Sequence, residues 1–390
     1  MATLEQTLAL CITKGHNVLS KMRETSFSPD SKKVLTKRYS LKETSEMVGV
    51  TTEAIRKAEK EDRIPKLGAS DGSKKREFSI SDVNKLRDYF KTRPSKGKDG
   101  ETCITSFINF KGGVYKSTAS LHFAQHMAKK GFKVLFVDAD SQGTSTHFFG
   151  YTPDDEQEGL ETLRDCLLGE TTDLRQAIIG TPWDGLDLIP ANLSLYDAEL
   201  MVPMRVATKD MAGAFFLNLR KSLDLIKDSY DVIVIDAPPS LGIINMNVVY
   251  ASDALIIPSP PLFADFASTL QFFTMLKDVA SRIAGEREYK FIKLLITKYD
   301  GTEEAKAFVR VIKHVFGQNL VAQNLFSSTV EIPRASQDLK TIYEVTDMKV
   351  KKTYDRALLI VDKVNLELEN MVKATWPQYS DALIEEGVMI

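Results

Sequence analysis

The sequence predicts an α/β protein: a doubly wound, mostly parallel sheet, preceded by a smaller α-helical winged helix-turn-helix domain and an N-terminal helix. Three observations carry this. Six short apolar runs alternate with helical patterns: ITSFINF (104–110), KVLFVDAD (133–140), LDLIPAN (186–192), DVIVIDA (231–237), ALIIPSP (254–260) and KLLITKY (293–299). Uninterrupted apolar strands separated by helices belong to a parallel sheet covered on both faces. The chain has 390 residues, 43% of them hydrophobic, enough for two or three domains and a sizeable core. Charge is also divided along it. Residues 1–100 hold 22 Lys+Arg against 14 Asp+Glu, so a basic head of +8 precedes a body of −10 within a total of −2.

Several classes are disfavoured. Cys11, Cys103 and Cys166 lie far apart with no CxxC, against a zinc module, an iron–sulfur site or a disulfide scaffold, and a reducing cytoplasm is the simplest compartment. The N-terminus MATLEQTLALCITKGHNVL lacks the layout of a secretion signal. No stretch approaches the roughly 18 apolar residues of a spanning helix, so no membrane role is expected.

In chain order, Leu4, Leu8, Ile12 and Leu19 give residues 1–30 one amphipathic helix, whose stripe packs on its own domain or pairs with a second copy. Residues 31–95 form the next unit. Within RYSLKETSEMVGVTTEAIRKAEKEDRIP (38–65), Ser40 with Glu43 makes a capping box, Gly49 a turn and Thr51 a second cap, the form of a helix-turn-helix. On the second helix Ala54, Ile55 and Ala58 face inward, while Thr52, Glu53, Arg56, Lys57 and Lys60 face outward. Ser73, Lys74, Lys75 and Arg76 then resemble a wing touching backbone phosphates, although charged helix faces are often only solvated. SISDVNKLRDYF (79–90) is a further helix with Val83, Leu86 and Phe90 inward, residues 96–102 a polar linker, and 103–390 the α/β domain.

The strongest motif is FINFKGGVYKSTASLHFAQHMA (107–128), an apolar strand, a Gly-rich turn and a helix opening at Lys116-Ser117-Thr118. Glycines let backbone N–H groups approach phosphate oxygens, and the helix N-terminus adds its positive end. Lys116 is placed to neutralise the β- and γ-phosphates and Ser117 to ligate Mg²⁺. Asp138 and Asp140 in VLFVDADSQGTS (134–145) sit at a strand end, where such sheets bind ligands, though a DxD there can also simply form a turn. Asp236, before Pro238-Pro239 in YDVIVIDAPPSLG (230–242), has the Walker B pattern and would hold Mg²⁺ through water.

The loop reads KGGxxK[ST], with an early second lysine, Lys111. In this it resembles the deviant-Walker ATPases, the family of the plasmid and chromosome partition ATPases called ParA, of MinD and of nitrogenase iron protein. The resemblance implies that Lys111 reaches the nucleotide of the other subunit in an ATP-sandwich homodimer. It implies that Lys111, Gly112, Gly113, Val114, Tyr115, Lys116, Ser117 and Thr118 bind ATP or ADP, and that Ser117, Asp138 and Asp236 serve Mg²⁺, with Asp138 at a position that is either structural or in the Mg²⁺ shell. Lys111, Lys116 and Asp140 become the catalytic set, with Asp140 orienting the attacking water. Tyr115 stands where most members carry glycine, and Ser141 where most carry proline.

The head resembles the winged domain of larger partition ATPases that repress their own operon, which makes Arg56, Lys57, Lys60, Lys74, Lys75 and Arg76 contacts to operator DNA. Nonspecific DNA binding is expected from a local cluster: Arg334, Lys340, Lys349, Lys351, Lys352 and Arg356. Five acids share that stretch, so folding must segregate the signs, and by resemblance Arg334 is the family's DNA-binding basic residue. The family implies a nucleoid-associated cytoplasmic protein stimulated to hydrolyse ATP, from a weak basal rate, by a ParB-type centromere-binding partner. The rival readings are a MinD-like membrane oscillator, poorly matched by the acidic ending TWPQYSDALIEEGVMI, and an ATP-sensing repressor without stimulated hydrolysis.

Overall fold

A computed structural model describes residues 33–68, 76–152, 162–208, 215–279 and 288–387, with isolated positions between 4 and 21. The expected N-terminal helix therefore lies largely outside the described residues; of its apolar positions, Leu4, Leu8 and Val18 are exposed. The strands are β1 (Tyr39–Ser40), β2 (Glu77–Phe78), β3 (Cys103–Phe107), β4 (Val134–Asp138), β5 (Ile179–Gly180), β6 (Leu186–Ile189), β7 (Val232–Asp236), β8 (Ala254–Ser259), β9 (Phe291–Tyr299) and β10 (Phe326–Ser327). β3 to β10 form one sheet in the order β10-β9-β8-β3-β7-β4-β6-β5. Every pairing in it is parallel except β5 on β6 at one edge.

The six expected strands are all present, and alternation along them divides two cores. Cys103, Phe107, Val134, Phe136, Val232 and Val234 face one side, while Ile104, Leu135, Val137, Ile233 and Ile235 face the other. The first side is covered by the Lys116–Lys130 helix and, outside it, by the Lys351–Ala374 helix. The latter buries Tyr354, Ala357, Val361, Val364, Leu368 and Met371, an alternating three-and-four spacing that makes one apolar stripe.

The head packs on the same side. Its first two helices, Leu41–Val48 and Thr52–Lys60, join through Gly49 in the left-handed conformation, with the Ser40–Glu43 capping box and the Thr51 cap formed as expected; the third, Ile80–Phe90, buries Val83 and Leu86. Ile55 and Ala58 are buried. Residues 92–102 are irregular, as a linker should be, yet they are not a free tether. Lys96 N donates to Asp231 at 2.8 Å, Trp376 Nε1 donates to Glu101 O at 2.8 Å, and Arg93 Nε donates to Gly131 O at 2.9 Å. Arg87, only 3% exposed, joins the two parts through Met47 O, Asn84 Oδ1 and Lys129 O.

His122 and His126, on the Lys116–Lys130 helix, meet the C-terminal elements in a buried polar seam. His126 lies 2.8 Å from Glu369, and Tyr343 donates to Asp362 at 2.8 Å. His122 Nδ1 bonds Thr118 O at 2.6 Å, and its Nε2 accepts from Ile342 N at 3.3 Å. Only a neutral ring can do both, and burial pushes its pKa down to about 4.

Because the folded value lies below the unfolded one of about 6.5, His122 supports stability fully above that pH and withdraws about 3 kcal/mol as pH falls toward the folded value. In urea titrations near pH 7 and about pH 4.5, His122→Gln should lose less stability on acidification than the wild type. Equal losses would assign the acid sensitivity to other groups.

Candidate nucleotide-binding site

Strand register assembles the site. Phe107 pairs with Asp236, and Asp236 with Asp138, so the phosphate-type loop and both strand-end acids open into one crevice. After β3 the chain turns through Gly113 (φ 73°) and Tyr115 (φ 70°) into the Lys116–Lys130 helix, which has no side-chain cap. A Cβ on Gly113 would meet nothing within 4 Å, so the loop encloses open space beside uncapped amides. That is the geometry of an anion cradle.

Tyr115 is a bulky residue in a conformation that costs about 1–2 kcal/mol without glycine. Packing offsets the cost: its ring meets Phe326 edge-on at 5.9 Å, and Lys298 Nζ lies 4.9 Å from its centroid. Thr297 Oγ1 also donates to Val114 O at 3.0 Å, clipping the loop to β9.

Lys116 spans the cradle, donating to Lys111 O at 3.0 Å, and is 6% exposed. Burial lowers its pKa, while Asp236 and Asp140 act in the opposite sense. Asp236 is fully buried, with its pKa pushed up to about 6 by desolvation. Its Oδ2 accepts from Ser145 Oγ at 2.7 Å, and the Ser145 and Ser117 hydroxyls act against the rise in its pKa. Its Oδ1 is buried without a partner. An orphaned carboxylate oxygen next to a P-loop serine fits a hard divalent cation bound directly or through water.

Asp138 is held by its neighbours on both oxygens. Its Oδ2 accepts from both Thr146 N and Thr146 Oγ1 at 2.8 Å, and its Oδ1 accepts from Asp140 N at 3.2 Å. Fully buried and engaged on both oxygens, it anchors the loop that carries Asp140. Asp140 is 9% exposed, with its pKa raised by burial against the opposing charge of Lys116 and a bond from Gln142 N at 3.0 Å. Ser145 and Thr146 were not singled out from sequence, although Ser145 ends the quoted DADSQGTS segment and Thr146 follows it directly.

A family model described as an AAA domain matches residues 102–286. The SopA protein of Escherichia coli K12 is 32% identical over 384 residues, covering 96% of this chain and 99% of that one. The chain belongs to the ParA family of plasmid partition ATPases. A solved partition protein shares the fold over 91% of this chain and 98% of its own, with a TM-score of 0.63 at 20% identity. A plasmid partition protein from Borrelia burgdorferi bound to AMPPNP shares it over 67% of this chain and 99% of its own, with a TM-score of 0.51 at 24% identity.

In this ParA-family chain the signature lysine has a partner within its own subunit. Lys111 Nζ lies 2.6 Å from Asp265, a residue missed from sequence because its apposition to the loop is tertiary. Lys57 and Arg56 are exposed, held only by long ion pairs to Glu61 and Glu53, and Lys60 is exposed too. Lys74 and Lys75 lie outside the described residues. Arg76 forms a two-point ion pair with Glu59 and stacks 4.7 Å from the Phe78 centroid, so it braces the wing base against the second helix.

In the C-terminal cluster Glu331 and Glu344 are buried, while Lys349, Lys351, Lys352 and Arg356 are exposed. Burial thus removes two of the five acids from the surface. Arg334 bonds Glu331 at 2.6 Å and Lys340 is half-buried. Among the described residues, no helix is long and apolar enough to cross a membrane.

Ser145→Ala should weaken Mg²⁺-dependent binding of a fluorescent ATP analogue about tenfold by releasing Asp236 from its fixed orientation. An unchanged Mg²⁺ titration would show that Ser117 alone orients the carboxylate.

Proposed function

We propose that this chain is a nucleotide-dependent partition switch, which hydrolyses ATP to ADP and phosphate while alternating between DNA-bound and released states. The observation that carries the reading is the uncapped, open cradle flanked by Lys116 and the orphaned Oδ1 of Asp236. ATP and Mg²⁺ fit those groups: backbone amides and Lys116 take the phosphates, and Ser117 and Asp236 hold the cation. The cation's contribution would be to neutralise charge developing on the phosphates. Asp140, beside Lys116 and nearly excluded from solvent, orients the attacking water. Lys111, the third catalytic residue, leaves Asp265 for the nucleotide of a second subunit in an ATP-closed homodimer.

In this reading the dimer binds random DNA through Arg334, Lys340 and the exposed lysines near 350. Residues 31–95 bind an operator through Arg56, Lys57 and Lys60, and Lys74 and Lys75 reach backbone phosphates. A ParB-type protein triggers hydrolysis and release. Segregation of exposed lysines from buried glutamates supports the DNA step, because phosphate neutralisation dominates nonspecific affinity.

The test is steady-state ATP hydrolysis by the protein alone, with random DNA, and with DNA plus the ParB-type protein encoded beside it. A low basal rate that rises only with both ligands is expected. A flat rate with altered operator occupancy would instead make the protein an ATP-sensing repressor. Asp140→Ala should still dimerise with ATP, yet turn over at least about a hundredfold more slowly. Near wild-type turnover would move the water-orienting role elsewhere. Arg334→Glu should abolish ATP-dependent binding to random DNA at low salt and leave ATP affinity intact; undiminished DNA binding would remove Arg334 from the interface.

A further inference from the structure

The loop after Asp236, Pro238–Gly242, reaches the phosphate-binding turn. A Cβ built on Gly112 would lie 4.0 Å from the Pro239 Cβ, so the second proline rests beside the cradle. The near end of the loop is tied by Asn245, whose Nδ2 donates to Pro238 O at 3.0 Å and also to Ser240 O. The far end is tied from another element. Glu199, on the Leu195–Ala207 helix, accepts from Ile243 N at 2.7 Å through Oε2 and from Ile244 N at 3.1 Å through Oε1.

Those amides open the Ile243–Ala251 helix, which has no cap from its own N-cap residue, Gly242. A carboxylate from 44 and 45 residues upstream of these amides supplies the cap and complements the helix dipole. Gly242 has φ −95° and ψ −169°, a backbone conformation open to any residue. Its lack of a side chain matters for a different reason: a β-carbon there would displace the Glu199 carboxylate from the two amides. The small residue and the distant acid form one device.

We infer that Glu199 is a positioning residue for the nucleotide site, a latch that fixes the Pro238–Gly242 loop against the phosphate-binding turn and ties the Leu195–Ala207 helix to it. The inference rests on the ATPase reading above for its catalytic consequence, and on hydrogen bonding alone for its structural one. Glu199 touches no reacting atom. Its effect is therefore on the hydrolytic step, which needs the loop in place, more than on nucleotide capture, which the cradle and Lys116 perform.

The test uses the full chain with Glu199→Ala, Glu199→Gln, Gly242→Ala and the Glu199→Ala/Gly242→Ala double variant. Glu199→Ala should keep the affinity for a fluorescent ATP analogue within about twofold and lower kcat about tenfold or more. Amide hydrogen exchange at Ile243 and Ile244 should rise about tenfold while the β3 and β7 amides stay protected. Glu199→Gln, keeping one acceptor oxygen, should recover part of both effects. Gly242→Ala should reproduce Glu199→Ala, and the double variant should be no worse than either, since both remove one contact.

Unchanged exchange at Ile243 and Ile244 in Glu199→Ala would overturn the latch whatever the enzyme does. Faster exchange with an unchanged kcat would overturn the positioning role. If the wild type fails to hydrolyse ATP, the functional reading falls, and exchange still decides whether the latch exists. Loss of β3 and β7 protection would show that Glu199 supports the fold at large, contrary to the inference.

Discussion

Strand register forces two carboxylates together in the interior, and much of the site's polar structure follows from that constraint. Asp138 and Asp236 end adjacent parallel strands, face each other in register and are fully buried. Desolvation raises both pKa values, Asp236 to about 6 and Asp138 well above the usual carboxylate range, with the Asp236 charge adding to the rise at Asp138 and the Asp140 charge to that at Asp236. Consecutive residues answer the two acids separately: Ser145 bonds Asp236, and Thr146 bonds Asp138 twice. Lys116 adds the opposing charge. The result is asymmetric, since Asp138 is engaged on both oxygens while Asp236 keeps Oδ1 free of partners. A divalent cation at that oxygen would relieve the charge that remains, so the acid left with an unpartnered oxygen is the one prepared for a metal.

The same asymmetry explains what could be read from the sequence. The DxD and the Asp before Pro-Pro are visible as strand-end acids, and their six strands are visible because each is apolar on both faces. Which acid is free depends on where Thr146 points, and that is decided by a short helix whose direction no periodicity encodes. β5 and β10 were missed for a related reason. Each is two residues long at an edge of the sheet, too short for any pattern.

The head shows the same division between local and tertiary information. Ser40, Glu43, Gly49 and Thr51 act on amides or backbone angles within a few residues, so sequence placed them correctly. Arg76 looks like every other residue of a basic strip, and only folding reveals Glu59 beside it. The acidic partner of Lys111 was hidden likewise: Asp265 lies beyond the ALIIPSP strand, with nothing local to mark it. Charged residues declare their type in a sequence but not their partners.

The Lys116–Lys130 helix connects these features physically. With 15 residues it spans about 22 Å. Its N-terminus opens the cradle, and its carbonyl end is covered by guanidinium groups of the head, Arg87 on Lys129 O and Arg93 on Gly131 O. Cations there complement the negative end of the dipole just as phosphate would complement the positive end. One flank carries His122 and His126 against the C-terminal elements, and the other packs on the sheet. A helix fixed on both flanks and at its far end can tilt little. The cradle is therefore a rigid element, whereas the Lys111 side chain, on Asp265, and the Pro238–Gly242 loop, between Asn245 and Glu199, are held by side-chain contacts that can be exchanged without moving the sheet.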